Sequence, residues 1–186
     1  GYPGDLLAIG DYDGDGVDDY GVFRPSTGVW YVLTATGDNI IFSNPGPVPA
    51  QGDYDGDGKT DGIVYFGGHW YGPLSGGGEM SVWYGAEGDI LVPGDYDGDG
   101  SDEPAVYRPS NGTWYILTSP TESVQIPFGI ETDIPVPGDY DGDGTEDIAI
   151  FRNNGQWWIN GSTAGVSVTT FGFGTDIPIV AHDTTR

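Results

Sequence analysis

Apolar and polar residues alternate over short runs along the whole chain, and no segment shows helical spacing with caps. The runs VFRPSTGVWYVL (22–33), VYFGGHWYGPL (64–74), VYRPSNGTWYIL (106–117) and IFRNNGQWWIN (150–160) each read as two short strands around a turn. Asn111-Gly112 and Asn154-Gly155 mark two of these turns, Asn-Gly being a strong hairpin signal. A last strand follows and ends at an aromatic, as at Phe128-Gly129 and Phe171-Gly172. A short apolar run precedes each hairpin: DLLAIG (5–10), PVPAQG (47–52), DILVPG (89–94) and DIPVPG (133–138). Between run and hairpin stands GDYDGDG, at 10–16, 52–58, 94–100 and 138–144, in steps of 42, 42 and 44 residues.

This period, with about four short strands per unit, predicts an all-β protein of β-propeller-type repeats. It has four four-stranded blades of roughly 43 residues, with an open β-hairpin solenoid as the alternative. The units run approximately over 5–46, 47–88, 89–132 and 133–175 of a single repeat domain. A fifth leading segment, DIPIVA at 176–181, predicts one extra strand, which either closes a blade of its own chain or pairs with a neighbour.

Composition changes the picture in three ways. Gly and Pro are 48 of 186 residues, yet 25 aromatics argue against a disordered chain. The 29 acids against 5 bases give −24, which excludes the basic footprint of a nucleic-acid or anionic-membrane partner. No apolar run reaches the ~18 residues of a membrane span, and the absence of cysteine removes disulfides and thiolate metal sites.

The acids are not scattered. Asp11, Asp13, Asp15 and Asp19 stand at positions 1, 3, 5 and 9 of the first acidic loop, with Val17 at position 7 able to offer its carbonyl. The same frame holds Asp53, Asp55, Asp57, Lys59 and Asp61. It recurs as Asp95, Asp97, Asp99, Ser101 and Glu103, and as Asp139, Asp141, Asp143, Thr145 and Asp147. Like charges ~4 Å apart cost on the order of 1–4 kcal/mol per pair, so four carboxylates in one loop call for a cation. A hard divalent ion with six to eight oxygen ligands relieves the repulsion, and calcium tolerates the flexible geometry better than magnesium. About four Ca²⁺ are expected. An EF-hand would place a carboxylate at position 12, where this chain has Val22, Val64, Val106 and Ile150. A plain solvated turn explains one such loop better than four.

GDYDGDG, followed by an apolar strand and then Phe-Gly, resembles the FG-GAP and VCBS-type repeats of integrin α-subunit propellers and of some fungal and bacterial lectins. The likeness spans the chain, although Val-Pro-Gly-Asp at 92–95 and 136–139 replaces the Gly-Ala-Pro element. The resemblance implies extracellular or cell-surface ligand binding, adhesion or surface architecture, without catalysis.

Three further series recur. Arg24, Arg108 and Arg152 hold one repeat position, where the second unit has Phe66. They read either as contacts for an acidic ligand or as half-buried ion pairs within the blades. Trp30, Trp70, Trp114 and Trp157 read as core or as sugar-stacking rings. Tyr31, Tyr71, Tyr115 and Trp158 follow them and face the other way. Trp83 has no counterpart and marks the second unit for a special contact. Asn111-Gly112-Thr113 and Asn160-Gly161-Ser162 match the glycosylation triplet, as would a plain turn.

Neither His69 nor His182 lies beside a nucleophile with an evident orienting partner, and no G-x-S-x-G, phosphate loop or HExxH occurs. The expected function is therefore non-enzymatic: a calcium-stabilised extracellular scaffold that binds glycan or protein. The alternative is a structural protomer of a surface layer or filament, self-associating through terminal strands.

Overall fold

The computed structural model describes residues 1–179, and among them it is all-β. Every repeat unit forms one four-stranded antiparallel meander, so the fold class is the β-propeller type with four blades. Blade 1 comprises β1 (Leu6–Leu7), β2 (Tyr20–Arg24), β3 (Val29–Leu33) and β4 (Asn39–Ser43). Blade 2 comprises β5 (Val48–Pro49), β6 (Val64–Phe66), β7 (His69–Pro73) and β8 (Glu79–Trp83). Blade 3 comprises β9 (Ile90–Leu91), β10 (Ala105–Arg108), β11 (Thr113–Ser119) and β12 (Glu122–Pro127). Blade 4 comprises β13 (Ile134–Pro135), β14 (Ile148–Arg152), β15 (Gln156–Gly161) and β16 (Gly165–Thr170).

The expected strand over 176–181 lies partly outside the described residues; 176–179 belong to no sheet. The chain divides into two compact units. Blades 1 and 2 belong to Gly1–Tyr84, joined by Gly100–Asp102; blades 3 and 4 belong to Gly85–Asp99 and 103–179.

Strand alternation gives each blade two faces. One carries Phe23, Trp30 and Phe42 in blade 1, where Trp30 and Phe42 stack at 5.5 Å. Val64 and Tyr71, on the other face of blade 2, pack against that cluster. The same scheme joins blades 3 and 4: Ile148, Ile150 and Trp158 pack on Tyr107, Trp114 and Ile116. Thus the apolar residue at position 12 is a core residue in blades 2, 3 and 4, where Val64, Val106 and Ile150 are buried, while Val22 of blade 1 is half-buried.

Trp30, Trp70 and Trp114 are fully buried and Trp157 is half-buried, which places the recurrent tryptophan in the core. The indole N–H of Trp70, Trp114 and Trp157 donates to the carbonyl of Tyr84, Phe128 and Phe171 at 2.9, 2.9 and 3.0 Å. A large ring with its one polar atom satisfied tolerates full burial, as at Trp70 and Trp114, whereas Trp30 is buried with no partner for its Nε1.

Candidate functional site: four acidic loops

Each acidic loop is a closed structure. A single antiparallel bridge joins its ends, Gly10 to Asp19, Gly52 to Asp61, Gly94 to Glu103 and Gly138 to Asp147. Glycines at positions 4 and 6 take positive φ in every copy, for example 80° at Gly14 and 82° at Gly16. A side chain there would be strained, so the repeated D-G-D-G pattern follows from the turn as much as from the carboxylates.

Position 1 organises the turn. Asp11 accepts N–H bonds from Gly14 at 2.7 Å, Asp15 at 3.2 Å and Gly16 at 2.7 Å. Asp53 and Asp139 repeat all three bonds, and Asp95 accepts from Gly98 at 2.6 Å. Position 9 ties the loop to its blade. Asp19 accepts from the N–H of Tyr12 and of Ala35, both at 2.9 Å. Asp61 does the same with Tyr54 and Ser75, and Asp147 with Tyr140 and Ser162.

Position 7 caps position 5: the N–H of Val17, Lys59 and Thr145 donates to Asp15, Asp57 and Asp143 at 2.9–3.0 Å. Successive loops are also linked. The N–H of Thr60 donates to the Asp11 carbonyl, Asp102 to Asp53, and Glu146 to Asp95, at 2.6–2.7 Å.

Within this frame carboxylate oxygens converge to within 4.8 Å of one another. The converging groups are Asp11, Asp13 and Asp15; Asp53, Asp55 and Asp57; Asp95, Asp97, Asp99 and Glu103; and Asp139, Asp141 and Asp147. The convergent sets of loops 1 and 2 are positions 1, 3 and 5, without Asp19 and Asp61. Glu103 carries one methylene more than its counterparts and joins its cluster. In loop 4, position 5 lies outside the convergent set, and Asp143 accepts from the Ser162 hydroxyl at 2.7 Å.

These loops suit a hard cation. The donors are oxygens alone, as calcium and magnesium prefer. Burial pushes Glu103 up to about 8 and Asp61 up to about 6, with neighbouring carboxylates adding to the rise. Both would ionise more readily beside a positive charge. Asp141 Oδ1 is buried without a hydrogen-bond partner, while its other oxygen is held by Thr163 and Ala164. A carboxylate oxygen left in that state is costly unless a cation or water meets it.

The arginines are committed elsewhere. Arg24 forms a bidentate pair with Asp5 at 2.8 and 2.9 Å, Arg108 with Asp89 at 2.8 Å twice, and Arg152 with Asp133 at 2.9 and 2.8 Å. Each guanidinium also lies over an aromatic ring of the next strand: Tyr31 at 4.6 Å, Tyr115 at 4.3 Å and Trp158 at 5.0 Å. The Arg24 hydrogen bonds hold the Asp5 carboxyl down to about 2. These contacts support the ion-pair reading of the arginines over the ligand-contact reading.

Two recurrent sets were not singled out from the sequence. Asp5, Asp89 and Asp133 are the acidic halves of those pairs. The tyrosine of GDYDGDG is the other: Tyr12, Tyr54, Tyr96 and Tyr140 donate to Ala8, Ala50, Val92 and Val136 carbonyls at 2.7–2.9 Å, clamping each loop to its leading strand. Asn111 works as a turn residue, accepting from the Thr113 N–H at 3.1 Å, and Asn160 lies within β15.

No protein-family model matches the chain, and no curated protein matches it.

Proposed function

We propose that the chain is a non-catalytic, calcium-binding repeat scaffold that works outside the cell or at its surface and binds glycan or protein. The observation that carries this reading is the fourfold convergence of carboxylate oxygens in loops closed by backbone hydrogen bonds. Asp11, Asp13 and Asp15 and their counterparts supply side-chain oxygens, and Val17, Lys59, Ser101 and Thr145 add carbonyls at position 7. A site so rich in oxygen ligands favours calcium over magnesium, which keeps its waters. Calcium would supply positive charge to the loop, and the loop carboxylates would hold it. Four such ions carry eight charges and take the formal −24 to −16. Acid–base catalysis fits poorly, since the carboxylates recur in every blade rather than forming one distinct site.

Native mass spectrometry after exchange into calcium tests the reading directly. The expected result is about four calcium ions per chain, falling by one in the double variant Asp11→Asn, Asp13→Asn. A spectrum with no bound calcium overturns it.

A second reading, a self-associating structural protomer, has one observation in its favour. The face of blade 1 that carries Val22 is apolar and open: Leu7 is 74%, Tyr20 76% and Ile41 63% exposed, around a groove of about 420 Å³. In blade 2 the counterparts of Val22 and Tyr31, Val64 and Tyr71, pack against blade 1, and only the Phe66–Trp83 end of that face is exposed. Under this reading sedimentation shows oligomers that Ile41→Asp dissolves; a monomer throughout the micromolar range counts against it.

A further inference from the structure

Blade 2 differs from the others at one end of its sheet, and the difference leaves aromatic faces open. In blades 1, 3 and 4 the rings of Tyr31, Tyr115 and Trp158 are covered by guanidinium groups that aspartates hold in place. Blade 2 has Phe66 where the arginine stands and Pro47 where the aspartate stands, so both halves of the pair are missing together. The strand register sets Phe66 opposite His69 and His69 opposite Trp83, one row across β6, β7 and β8. His69 stacks on Trp83 with ring centroids 4.4 Å apart and planes 5° from parallel. On the same face it stacks on Tyr71 at 4.8 Å and 28°. Tyr71 is anchored by its hydroxyl, which donates to the Pro45 carbonyl at 2.6 Å. The stack ends at Trp83, 73% exposed, and Phe66 at the other end of the row is 65% exposed. Ser81 Oγ lies 2.9 Å from His69 Nε2, so hydrogen-bonding groups border the rings.

We propose that this row is a platform for the pyranose ring of a neutral glycan. The proposal rests on the reading of the chain as a binding scaffold and names its site and ligand class. An indole held flat by a stacked imidazole offers a fixed apolar plane, which suits the C–H face of a sugar ring. A sugar also needs hydroxyl partners at its edge, and Ser81 and His69 can donate or accept there.

Charge selects within the class. The row holds no Lys, Arg, Asp or Glu, and the chain carries −24, so an acidic glycan meets repulsion without a compensating cation. Area argues against a protein partner. Two exposed rings offer roughly 150–250 Å² each, well short of the ~800 Å² per partner of a stable protein interface.

Affinity electrophoresis of the full chain in calcium tests this, using gels that contain a β-1,3-glucan, a β-1,4-mannan, a xylan or an α-1,4-glucan, with polygalacturonate as the acidic comparison. The expected result is retardation by at least one neutral polysaccharide, weakened about ten-fold or more in Trp83→Ala and partly kept in Trp83→Phe. Both variants should melt with the parent, because Trp83 is exposed on an edge strand. Retardation by none of the four, by polygalacturonate alone, or equally in Trp83→Ala overturns the proposal. Self-association that Trp83→Ala abolishes, without glycan retardation, assigns the patch to a protein contact and overturns it too. The calcium reading fails by a different signal, a melting curve indifferent to EDTA, and so the two failures are distinguishable.

Discussion

Chelating calcium with EDTA is expected to lower the melting temperature by more than about 10 °C. The reason is linkage: an ion that binds the folded loops and not the unfolded chain adds about 2.7 kcal/mol per site at 100-fold excess over its dissociation constant. For a chain of this size each kcal/mol moves the melting temperature by roughly 2–4 °C, so even one site of four gives a visible shift. The pH dependence has a definite sign. Glu103 is raised from 4.5 to about 8 in the metal-free fold, so the folded state binds the proton more tightly than the unfolded state. Its contribution to stability is therefore complete below about 4.5 and is lost as pH climbs towards 8. In EDTA the melting temperature should fall between pH 6 and pH 8, and saturating calcium should abolish that fall, because the ion holds Glu103 ionised. Scanning fluorimetry with and without calcium measures both effects. A melting curve unchanged by EDTA at pH 7.5 would remove the calcium reading, whatever the fate of the glycan platform.

The repeat was legible because its loops are local. The turn, its glycines and its carboxylates lie within nine residues, and so the four copies show at once where strands stop and where charge gathers. Contacts between strands were harder to read. Arg24 and Asp5 are nineteen residues apart, and only the β1–β2 pairing brings them together. A signal did exist: blade 2 loses both partners at once, with Pro47 and Phe66, as a coupled pair would. The open row of blade 2 was hidden for a similar reason. Trp83 stood out as unmatched, but its stacking on His69 depends on the β7–β8 register, fourteen residues apart. Alternation also showed that Trp30 and Tyr31 face opposite ways without saying which side is covered. Packing between blades decides that, since Val64 and Tyr71 of blade 2 close over Trp30.

That packing makes Trp114 the position where substitution should cost most. Trp114 is fully buried in the cluster formed by blades 3 and 4, with Tyr107 at 5.5 Å, Tyr96 at 6.4 Å and its N–H on the Phe128 carbonyl. Trp114→Ala removes the ring, leaves a cavity and orphans that carbonyl, a loss of about 3–5 kcal/mol. Against a total of roughly 5–15 kcal/mol for a folded domain, this is about a fifth of the stability or more. Trp157 holds the same repeat position in blade 4 but is half-buried, with Val136, Ala149 and Phe151 packed beside it. Less area is removed from water there, so Trp157→Ala should cost about half as much. Urea unfolding of the two variants in saturating calcium gives the comparison, with equal slopes required before the midpoints are read. If the recurrent tryptophan were a ligand-stacking ring, both substitutions would leave stability nearly unchanged and weaken glycan binding instead. A large loss at Trp114 with a smaller one at Trp157 assigns the series to the core. Blade 2's own Trp70 is also fully buried, so within that blade it is the stack of Tyr71, His69 and Trp83 that offers a ring to a ligand.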